Sequence, residues 1–166
     1  MRYFAIALIT AFFASVSPLS AKKIAVFKDW SAYSDGKSKT RTCWIYSEPV
    51  KTEGKYKIRG SIYLMVMHRP GENIFNQIQL TAGYRYKKDS AVKLAIGTKM
   101  FTLFTKGDTA WASSIKDDKR IVTAMRGGAQ MVVTGQSSRG TKTKDTYSLS
   151  GISAAHKSIS RACGVK

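Results

Sequence analysis

Acidic residues are scarce in this chain of 166 residues: ten Asp and Glu stand against 28 Lys and Arg, a formal net charge of +18. Only Asp117 and Asp118 are adjacent, and they open a stretch with helical apolar spacing. There they read as first-turn residues favoured by the helix dipole rather than as an acid–base pair. Histidine is limited to His68 and His156, and cysteine to Cys43 and Cys163. No two of these four share a ligand-like spacing, so no metal and no cofactor is expected. Serines are plentiful, but a serine nucleophile needs a base held by a third group. His68, at the end of "YLMVMHRP", reads as a strand-end residue, and His156, beside Ala155, as a helix-surface one. No catalytic residue is assigned. Low-complexity tracts, internal repeats and linkers are missing as well, which leaves one domain of ordinary size.

Long apolar runs are missing after the first 21 residues. The opening "MRYFAIALITAFFASVSPLSA" has Arg2, then an apolar run from Tyr3 to Val16 broken only by Thr10 and Ser15, then a Ser/Pro/Ala-rich exit. That layout is a secretory signal peptide, and the run is short for a bilayer span. Residues 1–21 are read as the signal, cleaved after Ala21 or retained as an anchor, and 22–166 as the working domain. Losing Arg2 and no acid leaves a formal charge of +17 on that domain. The expected location is the periplasm or the cell envelope. In an oxidising compartment two thiols most economically form one disulfide, here Cys43–Cys163 across 120 residues. A thiol site shared with His68 and His156 is the competing reading.

What is present is mostly strand signal. "KIAVFKDW" and "TRTCWIYS" are β-branched and aromatic, with "SDGKSK" as the turn between them. "EPVKTEGKYKIRG" is polar and broken by Pro49 and Gly54, and reads as a surface loop. "IYLMVMH" reads as a central strand, and Ile74, Ile78 and Leu80 share one face of the next. "AVKLAIGTKMFTLFT" reads as a hairpin turning at Gly97-Thr98. "DDKRIVTAMRGG" predicts a short helix capped at Gly127, and "AQMVVTGQS" and "DTYSLSG" two strands. The end predicts a helix with Ile152, Ala155, Ile159 and Cys163 on one face and Ser150 as its N-cap. Trp30, Trp44 and Trp111 read as core. The expected fold is mainly β: an antiparallel β-sandwich or barrel-like domain with a short helix and a C-terminal helix.

"GQSSRGTKTKDTYSLSG", residues 135–151, raises the question of a phosphate loop. Thr141 stands where that motif needs Lys after the second Gly, and no helix signal follows. The stretch reads instead as a hairpin turning at Gly140, with Lys142 and Lys144 on one side and Asp145 able to pair with an Arg. Arg139, Lys142 and Lys144 then form either a solvated charged edge or an anion-binding strip. "YRYKK", 84–88, interleaves rings and cations in the manner of a nucleic-acid or glycan platform, and fits a strand end equally.

The stretches "YLMVMHRPGENIFNQIQLTAGYRYKK", "FTLFTKGDTAW" and "MVVTGQSSRGTKTKDTYSLSG", with the closing A-x-x-x-I-x-x-A-C, resemble the invasion-associated locus B (IalB) family of alphaproteobacteria. "EPVKTEGKYKIRG" matches least. The resemblance implies an exported, periplasmic or envelope-associated protein, some relatives being linked to entry into host cells, notably red blood cells. It carries no catalytic residues over. Together with the charge, it points to a basic surface that binds an anionic envelope or host-surface component: lipopolysaccharide, acidic lipid or glycan. Peripheral membrane association is compatible with this, and no specific nucleic acid is expected. The alternatives are a periplasmic folding or assembly accessory, which would show an apolar groove or open sheet edge, and an envelope hydrolase working through a serine or His68.

Overall fold

The computed structural model describes residues 21–165, so the segment read as an export signal, 1–21, lies outside the described residues except for Ala21. Eleven strands and two helices follow in order: β1 (Lys22–Phe27), β2 (Trp30–Asp35), β3 (Thr42–Ser47), β4 (Lys51–Gly54), β5 (Tyr63–Arg69), β6 (Ile74–Thr81), β7 (Ala91–Ile96), β8 (Lys99–Lys106), β9 (Thr109–Trp111), α1 (Ile115–Gly127), β10 (Gln130–Gln136), β11 (Lys142–Ser148) and α2 (Ile152–Ala162). All strands pair antiparallel in one sheet of order β1-β2-β3-β5-β6-β9-β8-β7-β10-β11-β4. The mainly β, sandwich-like expectation with a short and a C-terminal helix matches this.

The sheet is open but coiled. Its strand at one end, β4, follows β3 near the other end after only residues 48–50, a link that spans at most about 14 Å. The Trp30 indole donates to the Ser148 carbonyl at 3.0 Å, joining β2 to the end of β11. One face of the sheet is therefore enclosed. Period-two alternation sends Ile45, Leu64, Val66, Ile78, Leu80, Val92, Leu94, Leu103, Met131 and Val133 inward, all buried. Helical spacing presents Ile121, Val122 and Met125 from α1, and Ile152, Ala155 and Ile159 from α2, to the same core.

Several boundaries differ from the sequence reading, each for a local reason. "KIAVFKDW" is not one strand: Lys28 turns the chain at φ +53, and Trp30 already starts β2. "EPVKTEGKYKIRG" is not wholly loop, because Lys51–Gly54 adds to the β11 edge, where polar side chains are tolerated. After "TKGD" the chain makes a further short strand, β9, which bridges β8 and β6. The helix α1 is capped by Ser114, whose hydroxyl accepts from the Asp117 N–H at 3.1 Å, and its C-cap is Gly128 rather than Gly127. The α2 N-cap is Gly151, φ +94, not Ser150. A Cβ there would fall on the Phe27 carbonyl oxygen, so only glycine lets α2 start against β1.

Of the three tryptophans only Trp30 is core, with no exposed area. Trp44 and Trp111 sit on the opposite face of the sheet, half-buried by cross-strand stacking on Tyr33 (5.6 Å between ring centres) and Phe104 (5.8 Å). Cys43 and Cys163 are joined in a disulfide that ties β3 to the residue after α2. Among the described residues no helix is long and apolar enough to cross a membrane.

Candidate anion-binding site

Three segments far apart in sequence converge at one end of the sheet: the loop 55–60, the turn 83–85 and the β10–β11 tip 137–143. Backbone bonds fix them together. Gly60 N–H donates to the Gly83 carbonyl at 2.8 Å, and Ser138 N–H to the Arg85 carbonyl at 2.8 Å. Gly83 is at φ +70, and a Cβ on it would strike the Gly60 carbonyl oxygen, so this close approach requires glycine. The Tyr84 hydroxyl meets the Thr143 hydroxyl at 2.6 Å, tying the turn to β11.

Beneath these segments lies a buried ion pair. The alternation along β11 turns Thr143, Asp145 and Tyr147 inward and leaves Lys142 and Lys144 exposed. Arg59 reaches Asp145 with both terminal nitrogens, at 2.6 and 2.5 Å, while its Nε donates to the Ala82 carbonyl at 2.7 Å. Each side chain of the pair is 3% exposed. The Tyr56 and Tyr84 rings cover the guanidinium at 5.4 and 5.0 Å. Although burial alone would lower it, Asp145 keeps the Arg59 pKa above its usual value. "KYKIRG", expected as loose polar surface, is thus anchored through Arg59. The sequence reading did allow Asp145 an Arg partner, but nothing in the spacing could identify one 86 residues away.

The converging segments enclose a cavity of about 700 Å³. Lys55, Lys57, Arg59, Arg85 and Arg139 line it, and no Asp or Glu does among the described residues. Arg59 is neutralised by Asp145. The other four cations are exposed at the rim, beside the hydroxyls of Ser137, Ser138, Thr141 and Thr143. Such a set of charges and donors around a concavity suits an anion.

The three residues singled out from sequence do not converge. Arg139 belongs to this cavity. Lys142 and Lys144 line a neighbouring concavity of about 460 Å³ with Lys93, on the outer face of the sheet. There Lys144 lies 3.4 Å from Glu53, which also pairs with Lys51 at 3.0 Å. Arg139 lies in the turn that precedes β11, whereas the period of two sends Lys142 and Lys144 to the outer face of the strand. Lys55, Lys57 and Arg85 were missed as site residues. Their signal was present in the cations alternating along "KYKIR", which read as surface loop, and in Arg85 of "YRYKK", which read as a platform or a strand end.

His68 lies near the end of β5 and His156 on α2, as the sequence suggested, but neither is a surface residue. His68 is buried and His156 half-buried, and the rings meet edge to face at 5.4 Å between α2 and the sheet. Asn76 N–H donates to His68 Nδ1 at 3.1 Å, which places the His68 proton on Nε2, facing Ser160 Oγ at 3.2 Å. His68 is therefore a donor to Ser160 and not a base for it. His156 Nε2 donates to Asn76 Oδ1 at 2.7 Å. Neither imidazole is hydrogen-bonded to a carboxylate among the described residues, and no group of three metal-ligating side chains occurs there.

Burial, and secondly His156, pushes His68 down to about 4. Burial, and secondly Arg126, does the same to His156. Both stay neutral in the fold while the unfolded chain binds protons below about 6.5, so their stabilisation is complete above that pH and is lost as pH falls toward 4. Asp118, which accepts from the Ile78 N–H at 2.8 Å, opposes this: burial pushes it up to about 6, so it gains stability over the same fall. With the half-buried His156 discounted for solvent, the expected net loss from pH 7 to pH 4 is about 2–3 kcal/mol. Denaturant midpoints across that range check this. His68→Asn should flatten the profile, and an unchanged slope in that variant would contradict the assignment.

The outer strands of the sheet, β1 and β4, are short and carry Lys22, Lys23 and Lys51, features that discourage strand addition by a client chain. The family described as "Invasion associated locus B (IalB) protein" matches residues 30–160. No curated protein and no solved structure matches the chain.

Proposed function

The chain belongs to the invasion-associated locus B family, and from that membership we propose that it is a non-catalytic protein of the cell envelope whose basic surface holds an anionic envelope or host-surface component. One observation carries the reading: the cavity of about 700 Å³ lined by five cations and, among the described residues, no carboxylate. The formal net charge of +18 supplies long-range attraction to polyanions, and the rim cations supply a place for them to settle. The arrangement at His68 favours binding over hydrolysis, because the imidazole proton already points at the nearest serine hydroxyl. Export through the N-terminal segment and residence in the periplasm or envelope complete the reading.

The test uses lipopolysaccharide and, as a soluble sulfated polyanion, heparin. Replacing Lys55, Lys57, Arg85 and Arg139 by Gln should weaken binding of both by at least tenfold at low salt. Lys142→Gln with Lys144→Gln should have the smaller effect, since Glu53 already offsets part of that charge. Wild-type affinity that is indifferent to salt, or undiminished in the fourfold variant, rejects the cavity as the site.

A further inference from the structure

Ile58 is 93% exposed, the most exposed of the large apolar side chains in the described residues. A single exposed apolar residue is ordinary on a protein surface. This one sits on the rim of the cationic cavity, between Lys57 and the anchored Arg59, with Lys55 close by in the same loop. The loop that presents it is held at its base by the Gly60–Gly83 backbone bond and the Arg59–Asp145 pair. A firmly mounted apolar tip ringed by cations above a concavity fits a surface that is anionic outside and apolar within. That is the profile of an anionic lipid bilayer and not of a soluble polyanion.

We propose that residues 55–59 form a membrane-docking wedge, with Ile58 entering the headgroup–acyl boundary of an anionic phospholipid bilayer. Lys55, Lys57, Arg85 and Arg139 hold the surrounding headgroup phosphates, and the cavity receives one of them. This rests on the anion-binding reading of the same site and adds the class of ligand and the manner of approach. Charge complementarity selects the occupant. A second copy of this chain would bring the same net positive charge against these cations, whereas a phosphatidylglycerol surface supplies one negative charge per lipid.

The protein as the cell exports it is sedimented with vesicles of phosphatidylglycerol and phosphatidylcholine mixed equally, with vesicles of phosphatidylcholine alone, and titrated in parallel with heparin. Wild type should bind the mixed vesicles and leave the neutral ones. Ile58→Ser should bind the mixed vesicles about tenfold more weakly, the loss expected for one aliphatic side chain withdrawn from an apolar phase. Its heparin affinity should be unchanged. Ile58→Trp should retain vesicle binding, and its added emission should shift to the blue with mixed vesicles but not with heparin. Ile58→Ser binding vesicles as wild type does, an unmoved Ile58→Trp emission on bound protein, or equal binding to neutral vesicles would each overturn the wedge. Salt-sensitive heparin binding would in those cases leave the anion-binding reading standing. Wild type that binds neither probe removes both. Because Ile58 touches solvent almost entirely, neither substitution threatens the fold, and matched thermal melts establish this.

Discussion

Replacing Cys43 and Cys163 together by Ala is expected to lower the unfolding free energy by about 3–5 kcal/mol. The bridge closes a loop of 120 residues, and chain-entropy arguments place so long a loop near the top of the disulfide range. A typical domain of this size has only about 5–15 kcal/mol in total, so the variant should melt many degrees lower. The loss should not be uniform. The bridge ties the end of α2 to β3, and α2 buries Ile152, Ala155 and Ile159 against the strands nearest β1. Amide exchange should therefore rise first in α2 and in β1 and β2 beneath it. Reduction of the wild type should reproduce the effect. Equal stability of the oxidised and reduced forms would contradict the structural weight given to the bridge.

The second large effect concerns the ion pair beneath the cavity. Asp145→Asn leaves the Arg59 guanidinium buried without its counter-charge, and a buried pair broken on one side typically costs about 3–5 kcal/mol. Replacing both partners, Arg59→Met with Asp145→Leu, removes the two desolvated charges together and should cost less than either single change. The readout is urea unfolding of all three variants. A cost below about 1 kcal/mol for Asp145→Asn would mean that water reaches the pair, contrary to its 3% side-chain exposure. The double variant separates a structural from an electrostatic contribution to binding. It releases the base of the loop 55–60 without altering Lys55, Lys57, Arg85 or Arg139.

The parts of the fold written in local patterns were legible in the sequence. Alternation along "AVKLAIGTKMFTLF" marks the β7–β8 hairpin, and the spacing of Ile152, Ala155 and Ile159 marks α2. The disulfide followed from two thiols and an expected compartment, not from geometry. What escaped was set by tertiary partners. β4 is polar because it is an edge strand, and its pairing with β11 is invisible locally. Trp44 and Trp111 looked like core because their alternation fixes a face but does not say which face is enclosed. Asp118 looked like a dipole residue, yet it reaches the Ile78 N–H across 40 residues.

The site divides in the same way. Arg139, Lys142 and Lys144 stood out as a run, but Arg139 sits in the turn and the other two on the outer face of β11. Lys55, Lys57 and Arg85 join Arg139 only because two glycines let separate loops meet and because Arg59 finds Asp145 inside the fold. A charge count predicts attraction to anions. It takes the folded backbone to say where the charges gather.

The most direct measurement is an amide chemical-shift map of the isotopically labelled protein titrated with inorganic polyphosphate at low and then high salt. Shifts confined to residues 55–60, 83–85 and 137–143, vanishing as salt is added, are the predicted result. Shifts spread evenly over the basic surface, or gathered around His156 and Ser160 instead, would show that the cavity is not where anions bind.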